Sequence, residues 1–469
     1  MKFVIRGNVS HNDVQTMSQT FFHHMRFEVV DAPPREGLCL AVQNADEGVV
    51  AQLYENGVIV QSVEAHTAKR TLYDLLVHKT GYRPPWGLLT GIRPAKVAAD
   101  FLDKGFSAEE TRQKLAAQYL IEDDRAALCT DVALSQRRII AQSPQDAISI
   151  YIAVPFCPTI CHYCSFSAYP AHRYGKYMDA YVTALVKEID YLGVICSGMY
   201  VENIYIGGGT PTALDDNNFT KILVAIADNF DVGRAMEYTI EAGRPDTITT
   251  SKLSIMKQHG VSRISINPQT LNDITLEKIG RRHSGLQFFS AYEMAQKAGI
   301  DNINIDLILG LPGETLDDVR RTLDDIKGLC PKSCTVHTLA VKRASKLHED
   351  VEAHNPTEIS LIQDMLVTSA AYMKSMSLLP YYMYRQKNSA GNFENVGYAA
   401  EGFEGRYNIQ MMEETQSIYA AGADAVTKLV DVAQSRIERA FNLRSPVDYI
   451  EKVDEMMARK TSLIKEIWG

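Results

Sequence analysis

From about residue 147 the chain repeats one pattern of hydrophobic and polar positions. A short apolar run enters a polar or glycine-rich loop, and an amphipathic stretch follows. The apolar runs at 149–154, 203–206, 237–241, 263–266, 302–307 and 335–338 predict six strands. The stretches near 177–194, 217–229, 249–259, 286–298 and 316–328 predict the helices between them. Strands alternating with helices of this length imply a parallel sheet. Six strands fit either an open doubly wound sheet or a partial barrel.

The flanks have a different texture. In the first, Asn56-Gly57 lies between apolar alternations and predicts a hairpin. A helical pattern covers 68–79, Pro84-Pro85-Trp86-Gly87 interrupts, and 108–134 is again mostly helical. In the last, a helix over 356–377 precedes an aromatic strand at 381–384, a polar loop and helical stretches to the end. The expected domains are an α+β region at 1–145, an α/β core at 146–345, and a mostly helical, substrate-covering region at 346–469.

Length and composition agree with this division. The 469 residues suggest about three domains. With 46% hydrophobic and 22% charged residues, a disordered or collagen-like chain is excluded. A net charge of -9 argues against a protein that coats nucleic acid or an anionic membrane. The N-terminus lacks a secretory apolar core, and no apolar run is long enough to span a bilayer. The expected compartment is the cytoplasm, where thiols stay reduced.

The eight cysteines are too sparse for a disulfide scaffold, so their spacing matters. Cys157, Cys161 and Cys164 follow the first strand of the core. Three thiolates so close can wrap one metal centre. Structural zinc normally takes four protein ligands. One alternative is a zinc knuckle with His162 as the fourth, although adjacent ligands strain a small tetrahedral site. A four-iron cluster held by three cysteines would keep one iron open for a substrate or cofactor. Cys330 and Cys334 form a weaker candidate pair, and Cys39, Cys129 and Cys196 read as core residues.

The ends of the following strands also carry chemistry. Gly207-Gly208-Gly209 permits close backbone approach. Glu241 closes an apolar run, where a carboxylate is costly to bury without a partner. Gln269, Arg281 and Asp306 follow on the next strands. Sites of parallel-sheet and barrel enzymes lie at such C-terminal ends.

Cys157-x-x-x-Cys161-x-x-Cys164 within Val154-Pro155-Phe156-Cys157 resembles the radical S-adenosylmethionine (SAM) superfamily. Together with Gly207-Gly-Gly-Thr-Pro-Thr212, Gly280-Arg-Arg-His283 and Asn304-Ile-Asp-Leu-Ile308, it resembles the oxygen-independent coproporphyrinogen III oxidase family. Trp86-Gly-Leu-Leu-Thr-Gly-Ile-Arg-Pro94, Ser265-Ile-Asn-Pro-Gln269 and the run from Tyr384 to Tyr398 look like the dehydrogenase branch with an extra N-terminal region. The resemblance implies a partial (β/α)6 TIM-like barrel between an α+β N-terminal domain and a mostly helical C-terminal one. It implies a [4Fe–4S] cluster on Cys157, Cys161 and Cys164. It implies SAM contacts from Tyr151, Gly208, Gly209, Thr210, Glu241, Gln269, Arg281 and Asp306.

The implied reaction is oxidative decarboxylation of coproporphyrinogen III to protoporphyrinogen IX, with a flavodoxin or ferredoxin as electron donor. The alternatives are a haem chaperone or another radical SAM reaction on a tetrapyrrole. A substrate with four carboxylates needs local cations. Arg385 and Lys387 are the foremost candidates, followed by Lys342, Arg343 and Arg93. Three departures concern the substrate pocket. Phe166 stands where well-studied oxidases carry a further cysteine, Asn267-Pro268 replaces a glycine–valine pair, and Tyr384-Arg-Gln-Lys-Asn388 replaces Tyr-Glu-Ile-Ser-Asn.

Overall fold

A computed structural model describes residues 1–22, 27–340, 347, 359–386 and 390–468. The chain forms two compact units. One comprises Met1–Leu134 and Tyr384–Glu394, the other Ser135–Met383 and Asn395–Gly469.

The first unit is built on five strands: β1 (Lys2–Arg6), β2 (Glu28–Val29), β3 (Leu38–Ala45), β4 (Gly48–Glu55) and β5 (Val58–Ala65). Their order is β2-β1-β3-β4-β5. Asn56 and Gly57 turn β4 into β5 with φ of 53° and 81°, the paired positive angles that the Asn-Gly sequence predicts. Helices His11–Phe21 and Ala68–Thr80 bury Val14, Met17, Leu72, Leu75 and Leu76 against Leu40, Val42 and Leu53. The helical stretch expected over 108–134 is divided into Ala108–Tyr119 and Asp123–Ile140. Leu120 takes φ 55° at the break, and Leu88 N–H donates to the Tyr119 carbonyl at 2.7 Å. Gly87 makes this approach possible, since a Cβ there would lie 2.2 Å from the Tyr119 oxygen.

The second unit carries β6 (Ala147–Val154), β7 (Phe156–Cys157), β8 (Tyr169–Pro170), β9 (Tyr200–Gly208), β10 (Glu237–Glu241), β11 (Arg263–Ser265), β12 (Ile303–Leu309) and β13 (Ser333–Thr338). It continues with β14 (Leu379–Arg385, which runs into the first unit), β15 (Glu394–Ala399), β16 (Ser417–Ala421), β17 (Val426–Asp431) and β18 (Arg436–Phe441). The main sheet runs β14-β15-β13-β12-β11-β10-β9-β6-β16-β17-β18. From β6 through β9, β10, β11, β12 to β13, every neighbour is parallel and follows in chain order. An open doubly wound sheet would reverse direction at a switch point. Sequential order places successive crossovers on one side, because such connections are right-handed. The core is therefore the partial TIM-like barrel.

Alternation along these strands separates two environments. Ile150, Ile152, Ile204, Ile206, Ile240, Ile264, Ile303 and Ile305 supply the buried apolar positions. The alternate positions are polar: Ser149, Asn203, Thr239, Arg263, Asn304 and Thr335 are all buried. They bond to one another and to their surroundings. Asn203 donates to Ser149 at 3.1 Å, Arg263 to Ser333 at 3.2 Å, and Thr335 to Asn304 at 3.3 Å. A TIM barrel usually fills its interior with branched apolar side chains. A hydrogen-bonding interior is instead suited to a polar ligand.

The C-terminal region combines helices Ile359–Ser375, Arg406–Glu413 and Pro446–Trp468 with strands β14 to β18. The sequence pattern missed β16, β17 and β18, which are short and continue the edge beside β6. Helix Pro446–Trp468 is tied to helix Met178–Ile195 by a buried ion pair. Lys460 Nζ donates to Glu188 at 2.5 Å, and Tyr449 and Asn442 donate to the same carboxylate at 2.6 and 3.0 Å. No described helix is long and apolar enough to cross a membrane.

Removing one member of this pair strands the other charge. Lys460→Met is expected to destabilise the chain by about 3–5 kcal/mol in urea unfolding. Adding Glu188→Gln should recover part of that loss. A Lys460→Met protein as stable as the parent would show that Glu188 carries no buried charge.

Candidate active site

The cysteine loop leaves β6 through Pro155 and is closed by the β7–β8 pair, in which Phe156 faces Tyr169 and Cys157 faces Pro170. The glycine run at the end of β9 packs directly on its entrance. Gly208 takes φ 105°. A Cβ on Gly209 would lie 2.7 Å from the Phe156 oxygen and 2.9 Å from the Val154 oxygen. That closeness lets Gly209 N–H donate to Val154 O at 2.8 Å and Thr210 N–H to Phe156 O at 2.7 Å. The Thr210 hydroxyl then donates to Cys157 Sγ at 3.4 Å.

All three thiols are partly exposed. Burial pushes the Cys157 thiol up to about 12, opposed by the Thr210 hydroxyl and raised further by Cys164 and Cys161. Such a thiol becomes a thiolate when a metal displaces its proton. Among the described residues, no three His, Cys, Asp or Glu side chains form a single-ion site. A single zinc needs its sulfurs about 2.3 Å from one point. A four-iron cluster puts each cysteine on a different iron and spreads them wider. The donor set, three thiols on one short loop, fits that larger group.

His162 is anchored elsewhere. Its N–H donates to Ile279 O at 2.9 Å, and Nδ1 lies 3.0 Å from Lys278 O. Its ring covers Gly280, where a Cβ would sit 2.7 Å from Cδ2. These contacts explain the glycine of Gly280-Arg281-Arg282-His283. Cys330 is exposed at the end of helix Leu316–Leu329, whereas Cys334 is buried on β13, and both are free thiols.

Two buried arginines flank the loop. Arg281 donates to Asn267 O and, at 3.1 Å, to the Tyr163 hydroxyl. Arg244 donates to Thr159 at 3.0 Å and grips Asp246 through two bonds of 2.8 Å. Arg244 was not singled out in the sequence, because its partner Thr159 is remote along the chain. His283 is 4% exposed, and neither ring nitrogen makes a hydrogen bond of good geometry. Burial and the neighbouring Arg281 and Arg244 hold it neutral, with its pKa near 3.

Glu241 ends β10 beside Gly207, where a Cβ would come within 2.9 Å of its carboxylate. The Tyr205 hydroxyl donates to it at 2.6 Å. Burial raises its acid from 4.5 to about 7, against the lowering by Tyr205 and with a further rise from Asp306. Tyr205 stacks on Tyr407 at 4.4 Å, and Tyr151 lies 6.0–6.2 Å from both rings. Tyr151 was expected at the site. Tyr205 and Tyr407 were not, because a tyrosine in a strand and one in a distant helix carry no local signal.

Asp306 receives Asn304 Nδ2 at 2.7 Å and has His337 Nε2 3.8 Å away. Burial pushes its acid up, but His337, Asn304 and Thr335 more than offset this and hold it below the usual carboxylate range. Gln269 takes the left-handed φ of 70°, and its side-chain oxygen is buried without a partner. Asn267 Oδ1 and Ser265 Oγ are likewise unpartnered. Buried polar atoms normally find partners. This group of orphaned acceptors marks a place for a hydrogen-bonding ligand.

The expected substrate cations have another position. Arg385 belongs to the first unit and is 4% exposed. It donates to Asn392 O at 2.7 Å and to Leu89 O, and lies 5.0 Å over the Trp86 ring. Burial lowers its pKa to about 10, and Glu394 opposes that shift. It therefore pins the Trp86–Leu89 turn. Lys387, Lys342 and Arg343 lie outside the described residues. Arg93 precedes helix Pro94–Asp103 in the first unit.

Residues 151–326 match the radical SAM superfamily. An oxygen-independent coproporphyrinogen-III oxidase-like protein of Bacillus subtilis, HemZ, is 34% identical over 98% of this chain and 96% of its own length. The haem chaperone HemW of Lactococcus lactis is 28% identical over 69% of this chain and 80% of its own. The solved coproporphyrinogen III oxidase of Escherichia coli, described as a radical SAM enzyme, superposes with a TM-score of 0.53 at 22% identity. That superposition covers 69% of this chain and 73% of that one.

Two measurements check this geometry. Gly209→Ala should lose most of the iron retained after reconstitution, because its Cβ would collide with backbone; retention of the full complement would contradict the packing account. The raised acid of Glu241 gives a pH dependence. Its protonated form prevails below about pH 7, so a ligand ammonium gains a carboxylate partner only as pH rises through that value. The stabilisation of the fold by SAM in thermal unfolding should therefore grow from about pH 6 to about pH 8. Tyr205→Phe removes a donor to the carboxylate and should move the midpoint upward by about one pH unit. A pH-independent SAM effect would remove Glu241 from this role.

Proposed function

Because the chain belongs to the radical SAM superfamily, among the oxygen-independent coproporphyrinogen-III oxidase-like proteins, we propose that it converts coproporphyrinogen III to protoporphyrinogen IX by oxidative decarboxylation of two propionates. Members of the superfamily use a [4Fe–4S] cluster and SAM. When bound, this pair supplies one-electron chemistry able to take hydrogen from an unactivated carbon.

The chain's residues would divide the remaining work. Cys157, Cys161 and Cys164 would hold the cluster and leave one iron open. Glu241, held by Tyr205, would receive the SAM ammonium together with the backbone at Gly208, Gly209 and Thr210. Arg281 would face its carboxylate, since a guanidinium grips a carboxylate through paired donors. Asp306 and Gln269 would bind the ribose, and Tyr151 would border the cofactor. The barrel interior would exclude water from the reacting carbon.

The observation that carries the reading is the end-to-end likeness to the oxidase-like relative, which includes both flanking regions. The likeness to a haem chaperone supports a second reading, in which haem is carried rather than made. Anaerobic incubation of the reconstituted protein with SAM, a reductant and coproporphyrinogen III, followed by mass analysis, separates the two. Loss of two CO2 with two new vinyl groups is the expected result. Unchanged porphyrinogen with tight, stoichiometric haem binding would transfer the assignment to the chaperone reading. Cys161→Ala should abolish SAM cleavage and the brown colour together.

A further inference from the structure

We propose that the buried charge of Arg244 raises the reduction potential of the cluster that Cys157, Cys161 and Cys164 would hold. The proposal deepens the cluster reading and rests on it. Arg244 follows Glu241 by three residues, where the chain leaves β10 for the short helical turn Pro245–Thr247. Its Nη1 donates to the Thr159 hydroxyl at 3.0 Å, and Thr159 stands midway between Cys157 and Cys161 in the sequence. Its Nε and Nη2 donate to the two carboxylate oxygens of Asp246 at 2.8 Å each. The Thr247 amide and hydroxyl donate to the Arg244 carbonyl at 3.0 and 2.8 Å, which fixes the backbone from which the side chain extends.

Each of the three guanidinium nitrogens is thus engaged by the protein. The geometry assigns Arg244 a field on the loop rather than a grip on a ligand. The pair with Asp246 does not cancel that field. The Arg244 side chain is 3% exposed and that of Asp246 21%, so water screens the carboxylate more than the cation. The charge already reaches the loop: burial raises the Cys157 thiol, and Arg244 is among the groups that oppose the rise.

Reduction adds one electron, supplied by an external reductant, and leaves a cluster one charge more negative. A fixed cation nearby favours that reduced form, and the low dielectric of a buried site strengthens the effect. Arg281, the other buried cation beside the loop, would be neutralised by the SAM carboxylate under the proposed function. Arg244 has its own partners and keeps the same charge with and without SAM. It therefore eases delivery of the electron in both states.

The test is a dithionite redox titration of the reconstituted full chain, followed by electron paramagnetic resonance. Arg244→Gln keeps an amide donor for Thr159 and removes the charge, so its midpoint potential should fall. The expected change is about threefold to tenfold in the reduced-to-oxidised ratio at a set potential, about 30–60 mV for one electron. Arg244→Lys keeps the charge and should titrate close to the parent. Asp246→Asn leaves the cation uncompensated and should raise the midpoint, which decides the matter if Arg244→Gln does not fold. An unmoved midpoint in Arg244→Gln would overturn the proposal. So would equal falls in Arg244→Gln and Arg244→Lys, which would make Arg244 only a brace for the loop. An unmoved midpoint in Asp246→Asn, with iron lost from both Arg244 variants, would overturn it too. A parent without any [4Fe–4S] signal would defeat the cluster reading itself, whereas a parent signal whose midpoint no variant moves defeats this proposal alone.

Discussion

The site depends on the contact between the glycine run of β9 and the backbone that leads into the cysteine loop. Each glycine meets a different demand. Gly207 leaves room for the Glu241 carboxylate, Gly208 takes a left-handed φ, and Gly209 lies against the carbonyls of Val154 and Phe156. Side chains at these positions would separate the cysteine loop from the barrel. With glycine there, two backbone hydrogen bonds and the Thr210 hydroxyl fix Cys157 over the strand ends. Parallel strands in chain order place Glu241, Gln269 and Asp306 at the same end of the barrel.

Charge is organised locally in an acidic chain. Arg281 and Arg244 are buried beside the cysteine loop, where their charge favours thiolates. His283 between them stays neutral. At the end of β10, Glu241 is a carboxylate whose ionisation is disfavoured by burial. Buried cations beside the cysteine loop and buried carboxylates on the strands would suit the proposed zwitterionic ligand.

The core strands were legible because each short apolar run ends at a loop with glycine or a polar residue, and the helices between them keep a regular apolar stripe. β10 was located at its observed bounds, Glu237–Glu241. The polar face of the barrel was not legible. Ser149 and Asn203 stand at the starts of their apolar runs, and only the parallel register pairs them. Tyr407 joins the site through a helix far along the chain, and Arg244 through Thr159, so neither has a local signature. Arg385 shows how tertiary partners stay hidden. A cation after an aromatic strand suggested a ligand contact, but Trp86 and the Leu89 and Asn392 carbonyls occupy its guanidinium.

The central claim is that three cysteines hold a cluster with one iron free for SAM. Electron paramagnetic resonance of the reduced, reconstituted protein tests it most directly. The account predicts a [4Fe–4S] signal that changes in shape and g values when SAM is added. A signal unaltered by saturating SAM, or one of a cluster type other than [4Fe–4S], would contradict it.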